Sequence, residues 1–573
     1  MMGDFKEHES DLLIVGAGGA GMRAAISALG MGRSVNIVSK SLIGKAHTVM
    51  AEGGIAASIG DVDRSDNWTV HFGDTVVEGV YIGNWRMAEI LAKQAPERVY
   101  ELERFGAVFD RTPEGKIMQR AFGGHTYRRL CHVGDKTGLE IIRTLEDKVL
   151  HTDAKMFDEV YITRLFLREG RFCGALGLEM RTGEFLLFKA KALIIATGGC
   201  GRVYKVTSNS WESTGDGLAL AYNAGAELMD MEMIQFHPTG MVWPPGVKGL
   251  LVTESIRGEG GILLNSKHER FMLRYSPEKK ELDARDVVAR ATYYEIKAGR
   301  GGPHGGVYLD ISHKGRDFIL RKLPGMYSQF KEFAGVDITK EAMEVAPTVH
   351  YQMGGIRVDP YTCATSVSGI FSAGEVASGL HGANRLGGNS LADILVFGKL
   401  AGEVASRWME GKDTLEPEDS EIEREMDRVR GFIRKGGNPY DLIDELTSVM
   451  QDRLGIVRNG DDMRKAIELI KDIKRRSEEV GVSGGLKYNH GLLGCLELQN
   501  MIVACETISV SANIREESRG AHTRSDFPKR RREWKVNIVC RKDGEDISTR
   551  LIKVEEIPEE FARYVKPEVY EDE

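Results

Sequence analysis

The fold turns on the stretch DLLIVGAGGAGMRAAISAL, residues 11–29. Residues 11–15 read as a short buried strand, and residues 22–29 as a helix of small side chains. Between them lies GxGxxG, with its glycines at Gly16, Gly18 and Gly21. In this arrangement the glycines permit a tight turn, close approach of a pyrophosphate, and close packing of helix on strand. The helix N-terminus then faces the phosphates. Residues 35–38 supply the next strand, which completes a βαβ dinucleotide unit. An acid should follow about 20 residues on to hold the ribose of NAD. Here the second strand ends in Ser39-Lys40. That speaks against a plain NAD site and leaves FAD, with a different ribose contact.

Further along, two more short strands end on glycine: residues 192–196 (ALIIA), which run into Thr197-Gly198-Gly199, and residues 369–375 (GIFSAGE). Strands alternating with helices imply an α/β fold with a parallel sheet. From about residue 415 the texture changes. Ile422, Met426, Val429 and Ile433 mark one helix face. Asn438-Pro439 opens a second helix carrying Leu442, Leu446, Val449 and Met450, and Ile467 and Ile470 mark a third. Residues 534–540 and 551–554 read as strands.

Composition narrows the function. A chain of 573 residues holds about four structural units at ~150 residues each. Charged residues are 28% and hydrophobic ones 42%, which excludes disorder or coiled coil as a reading of the whole chain. The net charge of −8 and pI near 6.0 provide no basic field, so no nucleic-acid partner is expected. There are 67 glycines where ~40 would be average, many of them paired, as though several loops touch one large ligand. The seven cysteines, Cys131, Cys173, Cys200, Cys363, Cys495, Cys505 and Cys540, are scattered and never in CxxC. They argue against disulfides, a zinc ribbon or an iron–sulfur cluster held by this chain, and no metal site is expected. An acidic N-terminal stretch without a basic n-region implies no signal peptide. No apolar run reaches 18 residues, so no membrane span and a cytoplasmic location are expected.

Several motifs then identify a family. Residues 46–54 (AHTVMAEGG), 235–240 (QFHPTG), 253–261 (TESIRGEGG) and Arg285-Asp286 resemble segments of succinate dehydrogenase and fumarate reductase flavoprotein subunits. So do residues 347–355 (PTVHYQMGG), 381–391 (HGANRLGGNSL) and 519–524 (RGAHTR), all in family order. The resemblance implies a Rossmann-like FAD-binding domain formed by residues 1–236 and 353–412, with a capping domain, 237–352, inserted between them. It further implies a C-terminal helical domain, 413–515, and a small α+β segment, 516–573.

The resemblance also assigns roles. His237, Thr253, His350 and Arg385 would bind the carboxylates of succinate or fumarate, with Phe122 packed nearby. Independently, a dianionic substrate needs cations and donors at both ends, and arginine offers bidentate binding. Arg285 would deliver the proton, reloaded through Glu254 and Arg257. Arginine is an unusual acid, with an ordinary pKa above ~12, and works only where a relay restores its proton at once. Around FAD the family places Gly16, Gly18, Gly21, Ser39, Lys40, Gly53, Gly54, Asp216, Glu375, Ser390 and Leu391. His47 stands at the family's covalent attachment position. Electrons would pass to or from an iron–sulfur partner protein, and through it the chain could meet membrane anchor subunits. Two positions depart from many relatives: Ile256 stands where they carry Cys or Ala, and Glu52 tilts the expected direction toward fumarate reduction. An L-aspartate oxidase-like enzyme is the alternative, and His47 is the residue that discriminates against it.

Overall fold

The computed structural model describes residues 5–570. Its centre is a seven-stranded sheet in the order Lys155–Phe157, Val35–Val38, Phe5–Val15, Glu184–Ile195, Arg171–Glu179, Val160–Arg168, with Ile370–Ser372 also paired to Glu184–Ile195. The first four strands and Ile370–Ser372 run parallel; Leu12 faces Val35 on one side and Ala192 on the other. The expectation of a parallel sheet holds only for this part. Val160–Arg168 and Arg171–Glu179 form an antiparallel hairpin. Its two-residue connection, Glu169-Gly170, has positive φ at both positions, which matches the twist of such hairpins. The helix Gly19–Gly30 leaves the central strand as expected, and the helix Asn389–Trp408 lies against it.

Residues 234–352 carry a second, antiparallel sheet in the order Ile234–Met241, Met343–Gln352, Val307–Asp310, Ile262–Leu264, so the first strand runs across the boundary expected at residue 237. It encloses its own core around Val252, Leu263, Phe271, Val288 and Phe330. His237 faces Thr348 in this sheet, so His237 and His350 enter the site from adjacent strands.

Four helices follow: Asp419–Arg430, Pro439–Arg453, Gly460–Ser477 and His490–Ile514. The first three carry the apolar faces read from the sequence, except that the first ends at Arg430, so Ile433 lies beyond it and bridges to Val482 instead. The fourth is apolar on most of its surface and shows no single stripe, as befits a helix packed on several sides. Among the described residues it alone is long and apolar enough to cross a bilayer, yet 61% of that apolar window is buried within the protein. Val429, Met450, Ile470 and Ile508 join one continuous core with Phe188 and Ile195 of the central sheet.

The last stretch pairs Val536–Asp543 with Asp546–Lys553 and returns to the body through Leu228–Met229. Buried arginines tie it down. Arg515 Nε donates to Glu232 at 2.7 Å, and Arg519 Nη1 donates to the Val80 carbonyl at 2.8 Å. The Ala521 amide donates to the Ala383 carbonyl at 2.9 Å.

Candidate active site

A long cavity opens at the C-terminal ends of the parallel strands, where ligands of such sheets bind. The strand at Val15, Gly16 to Ala20 and the start of the helix form one wall. Gly18 lines the cavity, but Gly21 does not: it stands behind the loop, where a Cβ would lie 1.9 Å from the Gly16 carbonyl oxygen. Gly21 therefore serves the packing of helix on turn.

Ser39, Lys40, Gly53, Gly54, Asp216, Glu375, Ser390 and Leu391 all reach the same cavity. Lys40 is already held there, by Asp216 at 2.6 Å and Glu497 at 2.9 Å. Asp216 opens the helix Asp216–Asn223 without capping it; its other oxygen accepts from Tyr161 at 2.8 Å and Asn500 at 2.9 Å. Burial pushes the Glu375 carboxyl up to about 7. Buried Thr197 Oγ1, Ser210 Oγ, Glu52 Oε2 and Arg385 Nε make no hydrogen bond within the protein. Three of these residues (Ser210, Glu52 and Arg385) belong to loops around His47 and the far end of the cavity. A glycine-rich turn at a helix start, hydroxyls, amides and unspent polar atoms along one elongated wall fit FAD.

His47 lines the cavity, its Nε2 3.2 Å from Asn209 Nδ2. Burial, reinforced by Arg385, lowers its imidazole to about 4, so the ring is neutral.

The far end of the cavity is cationic. His237, Thr253, Glu254, Arg285, His350, Arg385 and Phe122 meet there. His237 spends Nδ1 on the Thr239 carbonyl at 2.9 Å, and His350 spends Nδ1 on the Ser208 hydroxyl at 2.9 Å. Each leaves Nε2 as the remaining ring nitrogen. Burial pushes both rings well below the ordinary histidine value, and Arg285 adds to it. The Arg385 guanidinium lies 4.4 Å from the centre of the Tyr351 ring. Burial and then Arg285 lower Arg385 to about 9. Phe122 packs over Gly53, where a Cβ would come within 2.5 Å of the ring.

Arg285 begins the helix Arg285–Glu295, and its Nε donates to Glu254 at 2.8 Å. Arg257, one turn beyond Glu254, lies 3.5 Å from the same oxygen. Arg257 is wholly buried and does not line the cavity; its Nη1 donates to the Glu281 carbonyl at 2.6 Å. Burial alone would raise the Glu254 carboxyl, but the two arginines outweigh it and hold it at about 2. Arg285, Glu254 and Arg257 thus form a line leading away from the cavity.

Sequence reading did not assign Tyr351, Gln235, Tyr161, Glu497 or Asn500. Gln235 and Tyr351 stand inside motifs whose histidines carry the evident chemistry. Glu497 and Asn500 lie on the all-apolar-looking helix, far along the chain from Lys40, and left no local signal.

This fold and cavity define an FAD-dependent oxidoreductase. A family model described as "FAD binding domain" matches residues 11–391, and one described as "Fumarate reductase flavoprotein C-term" matches residues 443–569. The A chain of the CoM/CoB fumarate reductase of Methanothermobacter marburgensis is 47% identical over 94% of this chain and 98% of its own length. The succinate dehydrogenase flavoprotein subunit of Coxiella burnetii is 39% identical over 95% of this chain and 96% of its own. Among solved structures, Mycobacterium smegmatis Sdh1 in complex with UQ1 is 49% identical with a TM-score of 0.87, covering 96% of this chain and 95% of that one. Quinol fumarate reductase of E. coli gives a TM-score of 0.92 at 34% identity, covering 97% and 98%. The chain belongs to the succinate dehydrogenase/fumarate reductase flavoprotein family. These relatives favour the leading expectation over the aspartate oxidase alternative.

Proposed function

We propose that this chain is the catalytic subunit that interconverts fumarate and succinate. The observation that carries the reading is the convergence of Arg285, Arg385, His237 and His350 at one buried end of a cavity fit for FAD. When bound, the flavin supplies hydride exchange with one substrate carbon. Arg385, His237, His350 and Thr253 hold the two carboxylates. His237, whose Nδ1 donates to the Thr239 carbonyl, must take a proton on Nε2 to donate to a carboxylate, and the arriving dianion favours that protonation, whereas His350 can accept from the Ser208 hydroxyl at Nδ1 and donate from Nε2 while neutral. Arg285 gives the proton to the adjacent carbon, and Glu254 and Arg257 return one to it. Phe122 and the Gly53 loop exclude water above the substrate.

His47 is the residue proposed to bond covalently to the flavin. Its place on the cavity wall and its neutral, unprotonated nitrogen support that role. All seven cysteines are buried, and among the described residues no cluster of three or more His, Cys, Asp or Glu could hold a metal. The electron partner proposed from the family is a separate iron–sulfur protein, through which the chain could meet membrane anchor subunits. Glu52 on the cavity wall favours fumarate reduction as the direction.

Purified holoprotein should oxidise a reduced viologen dye only when fumarate is added, and malonate should inhibit it. A preparation retaining FAD that shows no fumarate-dependent rate refutes the proposal.

A further inference from the structure

Gln235 sits between the two arginines of the site and is itself wholly buried. Its amide oxygen accepts from Arg285 Nη1 at 3.1 Å and from Arg385 Nη2 at 3.1 Å. Its amide nitrogen donates to Asn384 Oδ1 at 2.9 Å and to the Arg385 carbonyl at 2.9 Å. A glutamine amide has two acceptor and two donor positions, and here all four are used.

The direction of this amide follows from its neighbours. Turned round, it would set its NH₂ against two guanidinium groups, which only donate, and its oxygen against two oxygens. Asn384 is held the same way from the other side. Its Nδ2 donates to Glu78 at 2.8 Å and to Asp286 at 3.1 Å, which leaves Oδ1 toward Gln235. The chain therefore runs from two acids, through two amides, to two arginines, with one sense of hydrogen bonding throughout. Burial, and then Asp286, push the Glu78 carboxyl well above its ordinary range, and an acid in either state still offers an acceptor to Asn384.

We propose that Gln235 is a positioning residue: one amide oxygen fixes the spacing of the proton-delivering and the carboxylate-binding arginine, and Asn384, pinned by Glu78 and Asp286, fixes the amide. The proposal rests on the roles given to Arg285 and Arg385 under the proposed function. Two like charges are thereby kept near each other by a shared partial negative charge. Without it they have no common partner and separate.

The test uses Gln235→Met, which keeps the volume and removes the oxygen, in FAD-loaded protein. A hydrogen bond to a charged group is worth ~10-fold or more, so each arginine should register its own loss. Through Arg385, KM for fumarate and the dissociation constant of malonate, followed by flavin absorbance without turnover, should each rise about 10-fold. Through Arg285, kcat should fall about 10-fold. In an Arg385→Met background the same substitution should raise KM no further, because the two share one contact. A residue that only filled space would act equally in both backgrounds. Asn384→Leu should act in the same sense by about 3-fold, and serves if the first variant does not fold.

Folded Gln235→Met or Asn384→Leu protein with wild-type kcat, KM and malonate binding overturns the inference. Wild-type protein that neither turns over fumarate nor binds malonate overturns the proposed function beneath it.

Discussion

Replacing Glu254 by glutamine gives a sharp test of the proton line. One carboxylate oxygen touches Arg285 at 2.8 Å and Arg257 at 3.5 Å, and the other accepts from the Gly123 amide at 2.9 Å. Held at about 2, it is ionised at neutral pH, and it carries a proton only in passing. Five pH units above that value, the protonated form costs about 7 kcal/mol, at ~1.36 kcal/mol per unit. Glutamine keeps the shape and cannot carry the proton. Fumarate reduction by a reduced dye at saturating substrate should therefore fall ~10²–10⁴-fold. Stability should fall as well, toward the lower end of ~3–5 kcal/mol, because Arg285 and Arg257 lose their shared counter-charge but keep Gln235 and the Glu281 carbonyl. Urea unfolding of the holoprotein measures that cost. A Glu254→Gln protein with kcat within about 3-fold of wild type would show that the proton takes another route.

His47→Ala should release all its flavin into the supernatant on acid precipitation, where wild type keeps the fluorescence in the protein band. Retention of flavin by the variant would place the bond elsewhere. Gly21→Ala should purify without FAD, since its methyl would press on the Gly16 carbonyl; an unchanged flavin content after gel filtration would contradict this. Arg385, lowered to about 9 by burial and by Arg285, carries its charge below that pH and loses it above. Malonate affinity should thus weaken as pH rises through about 9, later in the presence of bound dianion, and a flat profile to pH 10 would refute it.

Much of the site could be read because motif residues stay close to their function. The Gly16 turn, the His47 loop and the strands bearing His237 and His350 are local patterns, each carrying its chemistry in a few adjacent residues. Glu254 and Arg257 were legible as a pair because one helical turn separates them. Three things resisted reading. In the hairpin Val160–Arg168/Arg171–Glu179 the second strand is buried on both faces and looks in composition like buried parallel strand. The helix His490–Ile514 has apolar residues on several sides and no single stripe, so periodicity is silent. Lys40 with Glu497, and Gln235 with Asn384, meet only through tertiary packing across long stretches of chain, and no local spacing encodes that.

The brace from Ala521 to Ala383 has a consequence for how the protein is made. Gly520 approaches Ala383 so closely that a Cβ would come within 2.5 Å of its carbonyl oxygen, so the loop bearing Arg385, held by Gln235, Glu78 and Asp286, gains one further support from chain synthesised much later. At ~5–20 residues per second the ribosome needs roughly 7 to 30 s to travel that stretch. Until then the cationic end stands without this brace. A nascent chain can gather its first strands and helix around Gly16 early, but the loop that carries Arg385 receives its last clamp only once residue 521 has emerged.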